Sequence, residues 1–262
     1  MVVNLKVTEE LAEFLGIMVG DGNIYCEAEK GTYRFVITGH SENDAEYLIK
    51  HVTNLLIHLF GKRPGIWKYK KKKSIAISIC SKEIIEFLIT IGIPSGRKSQ
   101  TIIIPKLIVK NPDFKIKSGF LRGLADTEFS VLFHKGSSRK NHTYPIIVGT
   151  TSSRNLAYQT QELLCGFQIK ANIYTRRRYG TFSKGTPQYE LHIYGKKNLE
   201  KWMQKIGFNN ENHLSKIKIW QNLGFYLPNT NLKERFLILN NNILTPRYMI
   251  ASSHLTGKGR LD

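Results

Sequence analysis

Apolar positions first recur at helical spacing. Leu11, Phe14, Leu15 and Met18 fall on one face of a helix over Thr8–Met18, with Thr8 placed to cap its start and Gly20-Asp21-Gly22 to stop it. The period then drops to that of a strand over Tyr33–Thr38, rich in β-branched and aromatic residues. Ser41 to Phe60 reads as a long amphipathic helix capped by Ser41 or Asn43. Gly65–Lys70 and Ser74–Cys80 read as strands flanking a lysine turn, Lys70–Lys73. Lys82–Ile91 is a further helix closed by Gly92.

The same order returns in the second half. Phe120–Thr127 is helical, Ile146–Thr150 a strand and Asn155–Cys165 a helix. Ala171–Arg177 and Gln188–Tyr194 are strands around a basic loop, and Asn198–Ile206 is a helix closed by Gly207. Asp21 aligns with Glu128, Asn43 with Asn155, Gly92 with Gly207 and Lys98 with Lys216, at offsets that grow only from 107 to 118. Two matching halves, 8–104 and 120–220, predict a pseudo-two-fold monomer. Residues 105–119 read as a solvated linker broken by Pro112 and Gly119, and 221–262 as an extension outside the repeat.

Charge narrows the partner. Lys and Arg number 39 against 20 Asp and Glu, a net +19, which favours a polyanion. No run approaches the roughly 20 apolar residues that span a bilayer, and the first residues carry no apolar secretion signal. A reducing compartment is therefore expected: cytoplasm or nucleoid, or an organellar matrix. The three cysteines, Cys26, Cys80 and Cys165, are widely spaced and form no zinc pattern. Phe60, Trp67, Phe87 and Trp202 are expected in the core.

The candidate chemistry lies at the ends of two matching helices, LGIMVGDG (15–22) and FLRGLADTEF (120–129). Each has small residues four apart, Gly16 and Gly20, then Gly123 and Thr127. Backbones can approach closely there, and the terminal acids Asp21 and Glu128 would then meet. Paired carboxylates at helix C-termini repel each other and the helix dipole, so a cation is favoured between them. Oxygen ligands suit Mg²⁺, Mn²⁺ or Ca²⁺.

These two segments resemble the motif of the LAGLIDADG homing endonucleases in their single-chain, two-motif form. The resemblance extends to RFVITGHSEN (34–43) with IIVGTTSSRN (146–155), and to IGIPSGRKSQTIIIP (91–105) with IGFNNENHLSKI (206–217). It implies an α+β fold of two αββαββα halves, with two four-stranded antiparallel sheets forming a DNA-binding saddle and the motif helices at the central seam. It further implies metal-dependent cutting of both strands of a long DNA target, with short 3′ overhangs. Asp21 and Glu128 match the metal-binding acids, and the carbonyls of Gly20 and Thr127 match further ligands. Lys98 and Lys216 match the basic residues of the catalytic centre. Mg²⁺ would be the cofactor, Mn²⁺ a substitute, and Ca²⁺ would support binding without cleavage. Phe129 stands where the family usually has glycine.

Candidate DNA contacts are Tyr33, Arg34, His40, Lys68, Lys70, Lys71, Lys72 and Lys73 in the first half. In the second they are Arg139, Arg176, Arg177, Arg178, Lys184, Gln188, Glu190 and His192. Strand residues would read base edges and the loop lysines would touch phosphates. Competing readings on the same scaffold are a maturase that binds intron RNA and a non-catalytic DNA-binding regulator. No intein splice junction is expected, since the sequence lacks a Cys or Ser start and a His-Asn end.

Overall fold

The computed structural model describes residues 7–135, 141–180 and 183–241. Its first half runs α1 (Glu9–Val19), β1 (Gly22–Glu27), β2 (Thr32–His40), α2 (Thr53–Phe60), β3 (Gly65–Tyr69), β4 (Ser74–Cys80) and α3 (Lys82–Thr90). A short α4 (Lys106–Val109) leads into the second half. There the order is α5 (Phe114–Glu128), β5 (Phe129–Lys135), β6 (His142–Thr151), α6 (Arg154–Gly166), β7 (Asn172–Gly180), β8 (Ser183–Tyr194) and α7 (Lys196–Lys205). Helices α8 (Glu211–Leu223) and α9 (Leu232–Asn241) follow.

Each half builds one antiparallel four-stranded sheet, in the orders β1-β2-β4-β3 and β5-β6-β8-β7. This is the duplicated α+β architecture that the repeat predicts. Thr8 caps α1 through its side chain, which accepts from the Leu11 amide at 3.2 Å. One face of each sheet packs on the helices. Ile24, Phe35, Ile37, Ile75 and Ile77 line the buried face of the first sheet, and Val131, Ile147, Leu191 and Ile193 that of the second. The two faces join in one continuous core around α1 and α5.

Several local expectations give way to packing. Residues 105–119 are not an open linker, because α4 and the start of α5 lie within them. Asp113 caps α5, accepting from the Lys115 amide, so the helix begins six residues before Phe120. Gly119 does not break this helix. A Cβ there would lie 2.5 Å from the Glu9 carbonyl oxygen, so glycine serves the close approach of α1. The helix expected from Ser41 starts after a turn in which the Asp44 amide donates to the His40 carbonyl, and it passes through a π-type stretch at Tyr47–Val52 before α2. Neither Ser41 nor Asn43 caps it.

Trp202 is fully buried, as an apolar aromatic at helical spacing predicts, but Trp67 is 47% exposed. On β3 it pairs with Ala76, in the row opposite to the buried isoleucines. The extension also has structure. Ile219 of α8, Leu227 and Ile238 of α9 form a second small core.

Candidate metal and nucleic-acid site

Helices α1 and α5 cross with almost no side chain between them. A Cβ on Gly16 would lie 2.1 Å from the Phe120 carbonyl oxygen, and one on Gly123 would lie 2.0 Å from that of Glu13. These contacts are related by the pseudo-two-fold. Further along, a Cβ on Gly20 would meet Thr127 Oγ1 at 2.2 Å and Glu128 Cγ at 3.0 Å. The seam therefore delivers Asp21, next to Gly20, and Glu128 to one end of the helix pair. Each acid directly precedes an edge strand, β1 or β5, so the pair lies where the two sheets meet.

The electrostatics of this end are unfavourable for two free carboxylates. Dehydration by the surrounding protein, then the carboxylates of Glu128 and Asp44, raise the pKa of Asp21 to about 8, against an opposing pull from Lys98. Asp21 is exposed as a whole residue; its acidic neighbours therefore carry the direction of this shift. Dehydration also raises Glu128, again opposed by Lys98. Neither acid makes a hydrogen bond or ion pair among the described residues. No group of three or more His, Cys, Asp or Glu forms a metal cage there either. The donor set fits a hard cation that keeps part of its shell as water or phosphate oxygen, the habit of Mg²⁺.

The two lysines are not equivalent. Lys98 is buried, and its Nζ donates to the carbonyls of Met18 (2.8 Å), Val19 and Gly20 (2.6 Å), capping the end of α1. Dehydration lowers its pKa to about 8, with Glu128 and Asp21 opposing. Lys216 instead donates to the Val131 carbonyl of β5 at 3.3 Å. Dehydration and Arg235 lower its pKa to about 8, with Asp44 opposing. The carbonyls of Gly20 and Thr127 flank the acids, and that of Gly20 already accepts from Lys98. Its second lone pair remains for a ligand.

Phe129 does not distort the exit from α5. Its backbone is extended (φ −103°, ψ 161°), so no glycine is needed at this turn. Its ring packs 5.8 Å from that of Trp202 and lies over Gly149, whose hypothetical Cβ would be 2.3 Å from it.

The open sheet faces divide the candidate contacts. On the second sheet Arg176, Gln188, Glu190 and His192 share one face with Tyr174. Glu190 Oε2 bonds Arg176 Nε at 3.2 Å and His192 Nε2 at 3.0 Å, which fixes both side chains. Arg177 alternates to the other face. Arg139 lies outside the described residues, as do the side chains of Arg178 and Lys184.

On the first sheet Arg34 is exposed above Tyr25, with the guanidinium 5.0 Å from the ring centroid. Tyr33 shares the row of Phe35 and packs on the core, and Lys68 pairs with Ile75 on the same side, although it is itself exposed. Trp67 and Tyr69 take the open row instead, because the strand register is one residue off the expected one. Lys70, Lys71 and Lys72 form a turn rather than a strand end, and Lys73 closes it in a left-handed conformation (φ 45°). His40 caps its own turn, Nδ1 accepting from the amides of Glu42 and Asn43 at 3.3 and 3.4 Å.

Sequence pattern gave no signal for Asp44, Asp126 or Arg235. All three are held by long-range hydrogen bonds. Asp126 is buried and accepts from the amides of Asn209 and Asn210.

Residues 115–207 match the family model of the LAGLIDADG-like domain. The second half of the chain therefore carries a LAGLIDADG-like domain. The chain is 28% identical over 209 residues to the replication factor C small subunit of Methanocaldococcus jannaschii, a match covering 80% of this chain and 10% of that protein. It is 26% identical over 208 residues to the replication factor C small subunit of Thermococcus kodakarensis, covering 79% and 21%. The chain thus spans about a tenth to a fifth of these curated relatives. Its fold is that of I-DmoI in complex with DNA and Mn, with a TM-score of 0.52 at 18% identity over 77% of this chain and 98% of that one. No helix among the described residues is long and apolar enough to cross a membrane.

Proposed function

We propose that the chain is a site-specific, divalent-metal-dependent homing endonuclease that acts as a pseudosymmetric monomer on double-stranded DNA. It hydrolyses one phosphodiester in each strand and leaves short 3′ overhangs. The observation that carries this reading is the meeting of Asp21 and Glu128 at the end of a backbone-to-backbone seam between two open sheet faces. Support comes from I-DmoI, which shares the fold and was solved with DNA and Mn, and in further structures with Mg or Ca.

Asp21 and Glu128, with the carbonyls of Gly20 and Thr127, would hold Mg²⁺. The bound cation would neutralise the acid pair and the charge that develops on the scissile phosphate. Lys98 holds the end of α1, and with it Asp21, while adding positive charge beside both acids. Lys216 adds a second positive charge in the other half. Arg176, Gln188 and His192 on one sheet and Arg34 on the other offer hydrogen bonds to base edges. The lysines of the β3–β4 turn offer phosphate contacts, which position DNA without specifying it.

The test starts by selecting bound duplexes from a randomised DNA library in Ca²⁺ with the purified protein. The selected duplexes are then exposed to Mg²⁺. Both strands should be cut, and Asp21→Asn and Glu128→Gln should each abolish cutting while keeping Ca²⁺-supported binding. Normal double-strand cutting by either variant would refute the site. Tight binding by the wild type with no cutting in Mg²⁺ or Mn²⁺ would favour a regulator.

A further inference from the structure

Helix α8 carries Lys216, and its start is held from both halves of the molecule. Asn210 is its cap, its side-chain oxygen accepting from the Asn212 amide at 2.9 Å. The Nδ2 of the same residue donates to Asp44 Oδ1 at 3.0 Å and to the Asp126 carbonyl at 3.1 Å. Asp126 Oδ1 in turn accepts the Asn210 amide at 3.0 Å. Asp44 belongs to the turn between β2 and α2 of the first half, where its other oxygen accepts the His40 amide at 2.8 Å. The pseudo-symmetric position, one residue after Asn155, is Leu156, so this contact exists on one side only. Two carboxylates at a helix N-terminus also complement its dipole. From the opposite side Arg235 of α9 holds Asn212 Oδ1 at 2.6 Å and Ser215 Oγ at 2.9 Å.

We propose that Asp44 is a positioning residue: through its hydrogen bond to Asn210 it ties the start of α8 to the first half and so sets where Lys216 stands relative to Asp21 and Glu128. The consequence for cleavage rests on the proposed nuclease function, but the placement of Lys216 does not. The Asp44 carboxylate also opposes the dehydration that lowers the Lys216 pKa. In this arrangement the helix of the second lysine is tied to a residue of the opposite half, whereas Lys98 Nζ hydrogen-bonds carbonyls of its own half.

The experiment follows acylation of individual lysines by acetic anhydride in the intact protein, read by mass spectrometry, with Lys98 as internal reference. In Asp44→Ala and in Asn210→Ser, where serine keeps the cap but cannot reach Asp44, Lys216 should react about fivefold faster, the factor equivalent to about 1 kcal/mol of lost hydrogen bonding. Lys98 should stay unchanged. Asp44→Asn keeps an acceptor for Asn210 and should restore slow acylation. Unchanged Lys216 reactivity in folded Asp44→Ala or Asn210→Ser overturns the proposal, and should Asp44→Ala fail to fold, Asn210→Ser decides it. On selected duplexes Asp44→Ala should cut more slowly with Ca²⁺-supported binding intact, and unimpaired cutting would also overturn it. If the wild type cuts no duplex at all, the nuclease reading fails, while the acylation result still stands or falls by itself.

Discussion

Adding one methyl group at Gly123 tests the seam on which the site depends. In Gly123→Ala the new Cβ would lie 2.0 Å from the Glu13 carbonyl oxygen, 2.9 Å from its carbon and 3.1 Å from the Ile17 nitrogen. All three are backbone atoms of α1, so no side chain can rotate away. The helices must separate by about 1 Å, and overpacking of this kind costs about 1–3 kcal/mol. Alanine recovers about 1 kcal/mol of intrinsic helix preference, leaving a net loss of up to about 2 kcal/mol. At this chain length that is a fall in Tm of up to about 8 °C.

Gly166→Ala is the control, since its Cβ would find only a Phe114 ring atom at 3.6 Å. It should leave stability unchanged or slightly raised. The assay is thermal and urea unfolding of both variants, with cleavage measured below their transitions. Gly123→Ala should cut more slowly even where it is folded, because the same separation parts Asp21 from Glu128. If Gly123→Ala is as stable as Gly166→Ala, the close helix contact is wrong and the acid pair loses its geometry.

Phe129→Gly, which restores the residue usual in the family, should destabilise by about 3–5 kcal/mol in urea titration, because it empties the contact with Trp202 and Gly149. A variant as stable as the wild type would show that the ring is not a core residue. His213 is buried and dehydration holds its pKa down, to about 3 from the ordinary 6.5. Stability is full above pH 6.5 and falls as pH drops toward 3, by up to ~5 kcal/mol, so His213→Leu should flatten the fall of Tm in that window. Parallel curves would refute this. Replacing Lys71 and Lys73 with Ala should reduce the slope of log affinity against log salt by about 2 while leaving sequence preference intact. An altered preference instead would assign these lysines to base reading.

Much of the fold was legible because it depends on local pattern. The Thr8 cap, the change of period at Tyr33 and the left-handed glycines at 92 and 207 are each set by neighbours within a few residues. The repeat also pairs Asp21 with Glu128, since duplicated small residues at four-residue spacing mark where two helices can touch. Strand register was not legible in the same way. Tyr33 and Lys68 went to the wrong row because alternation fixes which residues share a face, but not which face the core covers.

What the sequence determined alone was the order of elements, from short-range periodicity, and the duplication, from the return of that order at an offset of 107 to 118 residues. The tertiary structure decided the rest. Lys98 caps α1 across 78 residues of chain from Gly20, and Asn210 reaches Asp44 across 166. Phe129 turns inward onto Trp202, and Arg235 brings the extension onto α8. None of these contacts has a periodic signature, because each depends on where separate segments come to rest after their apolar faces have been buried.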